Sequence, residues 1–258
     1  MFIEFGMVTS RANLVGEAPV VGRVGGGGAV AVRVGSVELV LLAQRAVLWE
    51  RTLFVADLHV GKPAAFGHHG IPVPIATVDA DLIRLSELVA ATKAQHVIVL
   101  GDLLHDATGR DAATMGRVAA WRAEQMTLRM TLVRGNHDKR AGDPPGDWRI
   151  ECVSEGERLG PFTLLHRPPE NVEAEQDGPG PVSLFGHVHP VVVMQGPARM
   201  SERSACFVCG PRTVLLPAFG SFTGGKAIMP LASERVFAIG DGSVMEVPGR
   251  LMGGRRGR

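Results

Sequence analysis

The pattern of apolar and polar positions changes character along the chain. Between Ala29 and Asp57 the runs "AVAVRV", "VELVLL" and "TLFVAD" are rich in Val and Leu and bounded by Gly or charge, which predicts short β-strands. From Thr77 to Lys93 the period becomes helical. Val78, Leu82, Leu85, Leu88 and Val89 fall on one face at i, i+3 and i+4 spacing, with Asp79, Asp81, Arg84 and Glu87 mostly elsewhere. "HVIVLGD" reads as a buried strand, Asp111 to Met126 as a second helical stretch, and "TLRMTLV" as a return to strand. After Trp148 the helical period is lost. Short apolar runs follow one another: "WRIECV", "FTLLH", "VSLFGH", "VVVM", "ACFVC", "TVLLPAF", "RVFAIG" and "SVMEV". Helices in the first half and strands in the second predict two packed sheets flanked by helices.

The breaks in this pattern suggest the organisation. An irregular entry spans residues 1–28 and ends in "GGGG", a single domain is expected over 29–250, and a basic tail closes the chain at 251–258. No linker sets off a second self-sufficient core. The polar, Pro- and Gly-rich stretch "RPPENVEAEQDGPGP" at 167–181 must be a long loop. The closing "RLMGGRRGR" reads as a frayed, solvated tail or as a weak nucleic-acid contact. A hydrophobic content of 45% with 21% charged residues is that of a folded globular chain, not a disordered one. No run approaches the roughly 18 apolar residues of a membrane span. Cys152, Cys206 and Cys209 are too few for a disulfide scaffold in a chain of 258 residues, and "CFVC" reads as part of a buried strand. These features lead to the expectation of a soluble, cytoplasmic protein.

The net charge of +1 decides nothing about partners. The polar residues at the strand ends decide more. "VADLH" supplies Asp57 and His59, "VLGDLLH" supplies Asp102, and "VRGNHD" supplies Asn136 and His137. "TLLH" ends on His166, and "LFGHVH" carries His187 and His189. Taken alone, Gly135-Asn136-His137-Asp138 is as consistent with a polar turn as with a site, since Asn, Asp and Gly are ordinary turn residues. Together, strands about 4.8 Å apart that end on such residues aim them at one region. Carboxylate, imidazole and carboxamide oxygen are ligands for borderline divalent metals such as Mn, Fe or Zn. They are too many for one ion and about right for two, the arrangement that clamps the attacking and leaving oxygens of a phosphoryl transfer.

In order, Asp-x-His, Gly-Asp, Gly-Asn-His-Asp, His and Gly-His-x-His reproduce a five-block signature, and the sequence resembles the calcineurin-like metallophosphoesterase superfamily from about Leu53 to Phe222. The resemblance implies a four-layer αββα sandwich, α/β or α+β in class, in which two mixed β-sheets flanked by helices hold a dinuclear centre at the sheet edges. It further implies that one ion takes Asp57, His59 and His189, and the other Asn136, His166 and His187. Asp102 would bridge the two. His137 would be the catalytic acid, held and kept cationic by Asp138. The blocks "LFVADLHVGKPAAFGHHGIPVP", "LGDLLHD", "RGNHD" and "LPAFGSFTGG" are similar to those of bacterial ligase-associated DNA damage response endonucleases. That similarity implies a manganese-dependent DNA phosphodiesterase. It also implies a functional association with a helicase, an ATP-dependent DNA ligase and an exonuclease.

The mechanism expected is direct hydrolysis, with a hydroxide bridging the two metals attacking phosphorus in line while His137 protonates the departing oxygen. Lys62, Arg134 and His105 are candidate substrate contacts, each with an alternative. Lys62 could be a solvated loop lysine, and Arg134 could meet a carboxylate instead of substrate. His105 could support Asp102 or cap a local turn. His68 and His69 read as exposed loop histidines, while Phe219, Gly220 and Phe222 are expected to pack the late sheet, with base stacking as the alternative. Two rival functions stand beside the endonuclease: a phosphomonoesterase or nucleotide hydrolase on the same site, and a non-catalytic metal-binding scaffold. The scaffold reading expects eroded ligands, and none of the signature residues is missing.

Overall fold

A computed structural model describes residues 28–68, 70, 76–170, 180–195 and 201–252. The expected entry segment before Gly28, His69, most of the 167–181 loop and the tail beyond Met252 lie outside the described residues.

Two β-sheets stack face to face. The first runs β1 (Val30–Val34), β2 (Val37–Leu42), β3 (Ala46–Trp49), β4 (Thr52–Val55), β5 (His96–Leu100), β6 (Arg129–Val133) and β7 (Ile150–Val153), in that order. The first four strands form antiparallel hairpins, whereas β4 to β7 are parallel. Parallel neighbours need crossovers. Helix α2 (Ala76–Thr92) lies between β4 and β5, and α3 (Ala112–Glu124) between β5 and β6. The second sheet holds β8 (Glu157–Leu159), β9 (Phe162–Leu164), β10 (Val182–Phe185), β11 (Pro190–Gln195), β12 (Ser201–Cys209), β13 (Thr213–Leu215) and β14 (Lys226–Ala227) in the order 14-11-12-13-10-9-8. The hairpin of β15 (Arg235–Gly240) and β16 (Ser243–Val247) joins it through β12. Both sheets are mixed, as expected.

The inner faces meet in a core of Leu41, Phe54, Ile98, Phe162, Leu184, Phe207 and Phe237. Each buried side chain of this kind contributes roughly 1.5–3 kcal/mol relative to exposure. The helical face read from the sequence packs on the outer side of the first sheet, where Leu82, Leu85, Leu88, Val118 and Trp121 cluster with Leu53, Val97 and Val99. Asp111 caps α3 by accepting from the Ala113 and Thr114 N–H groups at 3.0 Å. The outer side of the second sheet carries Phe185, Val192, Val208 and Val236, against which Ile228 and Met252 pack.

Several expectations are corrected here. Strand β3 was not anticipated, because both its flanking turns are made by Arg45 and Glu50 at φ 66° and 52°, where turn chemistry usually announces itself by Gly or Asn. His68 is the last residue of a short helix, α1 (Lys62–His68), and not a loop residue. Phe219 does not pack the late sheet. It is fully buried in the helix-covered core, with the Arg84 guanidinium 4.2 Å from its ring centre. Phe222 meets Phe66 of α1 edge to face.

Candidate metal centre

Strands β4, β5 and β6 run in register, with Val55 beside Val99 and Leu100 beside Val133. Their C-terminal ends therefore share one edge, the place where open parallel sheets carry ligands. Asp57 and His59 follow β4, Asp102 follows β5, and Asn136 opens a short helix, α4 (Asn136–Ala141), after β6. From the second sheet, His166 follows β9 while His187 and His189 follow its parallel neighbour β10. Backbone bonds lock the first two loops together: Asp57 N–H donates to Gly101 O at 3.1 Å and His59 N–H to Asp102 O at 2.9 Å.

The backbone is strained where these side chains leave it. Asp57, His59, Asp102, His187 and His189 have φ between 49° and 69°. A left-handed conformation costs an L-residue about 1–2 kcal/mol, and such strain clusters at functional sites. The glycines beside them serve close approach. A Cβ on Gly101 would lie 2.1 Å from His166 Nδ1, one on Gly135 2.2 Å from Asp102 Oδ1, and one on Gly186 2.5 Å from Asp57 Oδ2.

The side chains gather into adjoining clusters. Asp57, His59 and His189 form one, with His189 Nε2 3.3 Å from His59 Nε2 and 3.5 Å from Asp57 Oδ1. Asp102, His166 and His187 form another, and Asn136 joins it with Oδ1 3.0 Å from His166 Nε2. Asp102 Oδ2 faces both, at 3.4 Å from His166 Nε2 and 3.9 Å from His59 Nε2. Its Oδ1 accepts from the His137 N–H at 2.8 Å. Burial pushes the Asp102 carboxyl upward, but His166, the His137 N–H and His59 outweigh it and hold the group at about 2. Burial drives the His59 imidazole down to about 2, so it is neutral. His187 is also lowered, by burial and by His166, while His166 is raised because its bonds to Asp102 overcome its own burial.

The fixed tautomers are those of metal ligands. His166 Nδ1–H donates to Leu100 O at 3.0 Å and His189 Nδ1–H to Gly224 O at 3.2 Å. In its neutral form each ring therefore turns the lone pair of Nε2 inward, the usual arrangement when a carbonyl orients a ligating histidine. His187 Nδ1 in turn sits 3.1 Å from His166 Nε2. Lone pairs facing one another at 3.1–3.3 Å repel, yet two imidazole nitrogens ~2.1 Å from one ion stand about this far apart. Asp57 Oδ1 is buried without a hydrogen bond among the described residues, and an unpaired buried carboxylate oxygen is costly. A divalent cation in each cluster resolves both problems, so the residues fit a dinuclear centre.

Beside them, His59, His105 and His137 bring their imidazoles into a further group. His137 stacks on His105 at 4.8 Å between centroids, and its Nδ1–H donates to the His105 carbonyl at 2.6 Å. His105 Nδ1 lies 3.3 Å from His59 Nδ1, and burial together with His137 lowers its imidazole to about 4. His105 thus touches the imidazoles directly, where the sequence offered a substrate contact, support for Asp102 or a turn cap. The expected contact between Asp138 and the His137 ring is not made. Asp138 is buried and accepts from Leu104 N–H and Gly135 N–H, both at 2.9 Å. Arg134 pairs with the Asp143 carboxylate at 2.7 and 2.8 Å, so it meets a carboxylate and not the site. Lys62 starts α1 half-buried, its ammonium lowered by burial against the attraction of Asp57. The carbonyls of Leu100 and Gly224 have no signal in the sequence. Neither does the Glu155 carboxylate, which accepts from the His166 N–H at 3.0 Å.

This edge-mounted set of two carboxylates, an amide and histidines is that of a dinuclear metallophosphoesterase, and the chain belongs to the calcineurin-like phosphoesterase family, whose model matches residues 50–197. Among solved structures it is similar to the Pseudomonas putida nuclease MPE. The two are 38% identical, with 85% of this chain and 100% of that one covered and a TM-score of 0.70. Yfce, a phosphoesterase from E. coli, is more distant at 20% identity, 76% and 97% coverage and a TM-score of 0.39. No curated protein sequence matches significantly. The chain is therefore a metal-dependent phosphoesterase. No helix among the described residues is long and apolar enough to cross a membrane.

Proposed function

We propose that the protein is a manganese-dependent dinuclear phosphodiesterase that cuts DNA internally during repair in the cytoplasm. The observation that carries this reading is the position of Asp102 Oδ2, which faces both imidazole clusters at 3.4 and 3.9 Å. Asp57, His59 and His189 would hold one ion, Asn136, His166 and His187 the other, and Asp102 both. The ions would supply Lewis acidity for the phosphoryl oxygens and a water acidic enough to attack at neutral pH. Nitrogen-rich ligation favours Mn, Fe or Zn over Ca.

The remaining chemistry belongs to the chain. The attacking water gives up a proton to solvent and its oxygen forms a new bond to phosphorus as the bond to the sugar oxygen breaks. His137, not among the residues assigned to the two ions but edge to face with His59 at 4.8 Å between ring centres, gives its proton to that departing oxygen. Its ring is oriented by the His105 carbonyl. Lys62 and the His105 ring are the contacts proposed for the non-bridging oxygens or the strand. This machinery occupies the single domain read over 29–250. The similarity to the nuclease MPE at 38% identity supports a nucleic-acid substrate over a small phosphomonoester. The association with a helicase, an ATP-dependent ligase and an exonuclease is part of the same reading.

Metal-reconstituted protein incubated with supercoiled plasmid, a linear single strand and mononucleotides tests it. The expected result is nicking of the circle, which requires an internal cut. Phosphate release from mononucleotides with the plasmid left intact would establish the phosphomonoesterase instead.

A further inference from the structure

The β2–β3 turn carries Arg45 to the metal-bearing edge. Strand β3 is antiparallel to β4, with Val47 opposite Phe54, so the residues before Ala46 lie beside the C-terminal end of β4 and the Asp57 loop. The Arg45 side chain is half-buried, and its Nη1 donates to Ala218 O at 3.3 Å and Gly220 O at 3.5 Å. The guanidinium has no other hydrogen bond among the described residues. It faces a cavity of about 120 Å³ whose walls include His189, Pro190, Thr223, Gly224 and Gly225.

Two features make this cavity part of the active-site surface. His189 lines the cavity, with Nδ1 bonded to Gly224 O on its wall, and joins the Asp57 cluster through Nε2, so one imidazole separates the cavity from the proposed ions. Its rim is cationic. Arg203, exposed on β12, donates through Nη2 to Gly225 O at 3.1 Å, and the exposed Lys226 follows in the chain. No carboxylate lines the cavity. Asp81, the acid whose charge reaches Arg45, is already bound to Arg84 at 2.9 Å and to the Ser221 N–H at 2.9 Å. A desolvated guanidinium beside glycine backbone is suited to a phosphate oxygen.

We infer that this cavity is the subsite for the phosphate next to the scissile one in a single strand of nucleic acid, with Arg45 as its contact and Arg203 and Lys226 continuing the path. The subsite rests on the polynucleotide reading above and deepens it. A phosphodiester held by the ions has a neighbour on each side, and the neighbour leaving past His189 enters here. A mononucleotide has no such neighbour, so the subsite would separate polymers from small esters.

The test is equilibrium binding of a short fluorescent oligothymidylate with cleavage-resistant phosphorothioate linkages to the manganese-loaded protein over a salt series, together with KM values for the ordinary oligonucleotide. Each phosphate contact to a single strand contributes about −0.7 to the slope of log K against log salt. Arg45→Gln should weaken binding on the order of tenfold, as expected for one charged hydrogen bond, and flatten the slope by about 0.7. Arg45→Lys should restore the slope. Lys226→Ala, a change at an exposed side chain, should flatten it similarly without burden on folding. The rise in KM should be several-fold greater for the oligonucleotide than for an activated aryl phosphodiester, which has no neighbouring phosphate. Equal losses on both substrates would make Arg45 only a brace for the 218–220 backbone and overturn the subsite. An unaltered salt slope in Arg45→Gln and Lys226→Ala, with the wild type binding and cutting normally, would overturn it too. A wild type that hydrolyses the aryl diester but neither binds nor cuts the oligonucleotide would remove the polynucleotide reading, and the subsite with it.

Discussion

His137 and Asp138 are chain neighbours with different hydrogen-bond partners. Expulsion of a sugar alkoxide needs a proton, whereas an acidic phenol leaves without one, and loss of a general acid costs about 10²–10⁴ in rate where protonation matters. His137→Ala should therefore keep both metals, lose DNA cleavage by about that factor and retain much of its activity on an activated aryl diester. Equal losses on both substrates at full metal content would remove the acid role. Asp138→Asn should behave differently. Its carboxylate accepts from two backbone N–H groups, and an amide can accept only one of them while turning its NH₂ toward the other. The expected cost is about 1–3 kcal/mol of stability, read from a denaturant midpoint, with both substrates affected alike. A selective loss on DNA would restore the His137–Asp138 couple instead.

Sequence adjacency suggested that couple, and helix geometry forbids it. Asn136 begins a helix, on which neighbouring residues do not face each other. Asp138 is the third residue of the first turn and reaches back to the N-cap Gly135. The signal was present as Gly-x-x-Asp at the helix start, but α4 is only six residues long, too short for a period to show. The residues that converge on the edge were legible because each ends a strong apolar strand. The rings' orientations were not, because they are set by the carbonyls of Leu100, Gly224 and His105, and a backbone carbonyl is the same in every residue.

At the scale of elements, the strand ends work because the loops that follow them approach within contact distance. Gly135 marks the tightest approach to Asp102, with a hypothetical Cβ 2.2 Å from the carboxylate and 2.6 Å from the Asp102 backbone nitrogen. Gly135→Ala must therefore displace Asp102. We expect weaker binding of both ions, loss of activity on every phosphodiester, and overpacking of about 1–3 kcal/mol seen as a lower Tm. Elemental analysis with full metal content and normal turnover would contradict the assignment. The long helices and most strands could be read from periodicity, since α2 buries the face that Val78, Leu82, Leu85 and Leu88 define. Strand β3 could not, because Arg45 and Glu50 make its turns without turn-forming residues. That same unannounced turn places Arg45 beside the site.

At the scale of the molecule, the sandwich has one function for the chemistry: it sets the parallel ends of both sheets against each other. Asp57, Asp102 and Asn136 come from the first sheet, and His166, His187 and His189 from the second. Neither sheet alone holds either cluster complete. The account depends on Asp102 serving both ions from the seam, and elemental analysis of Asp102→Ala beside His59→Ala tests that claim most directly. Asp102→Ala should lose tight binding of both ions and all phosphoesterase activity, while His59→Ala should lose mainly one ion. Two tightly held ions in the Asp102→Ala protein would contradict the shared-ligand centre.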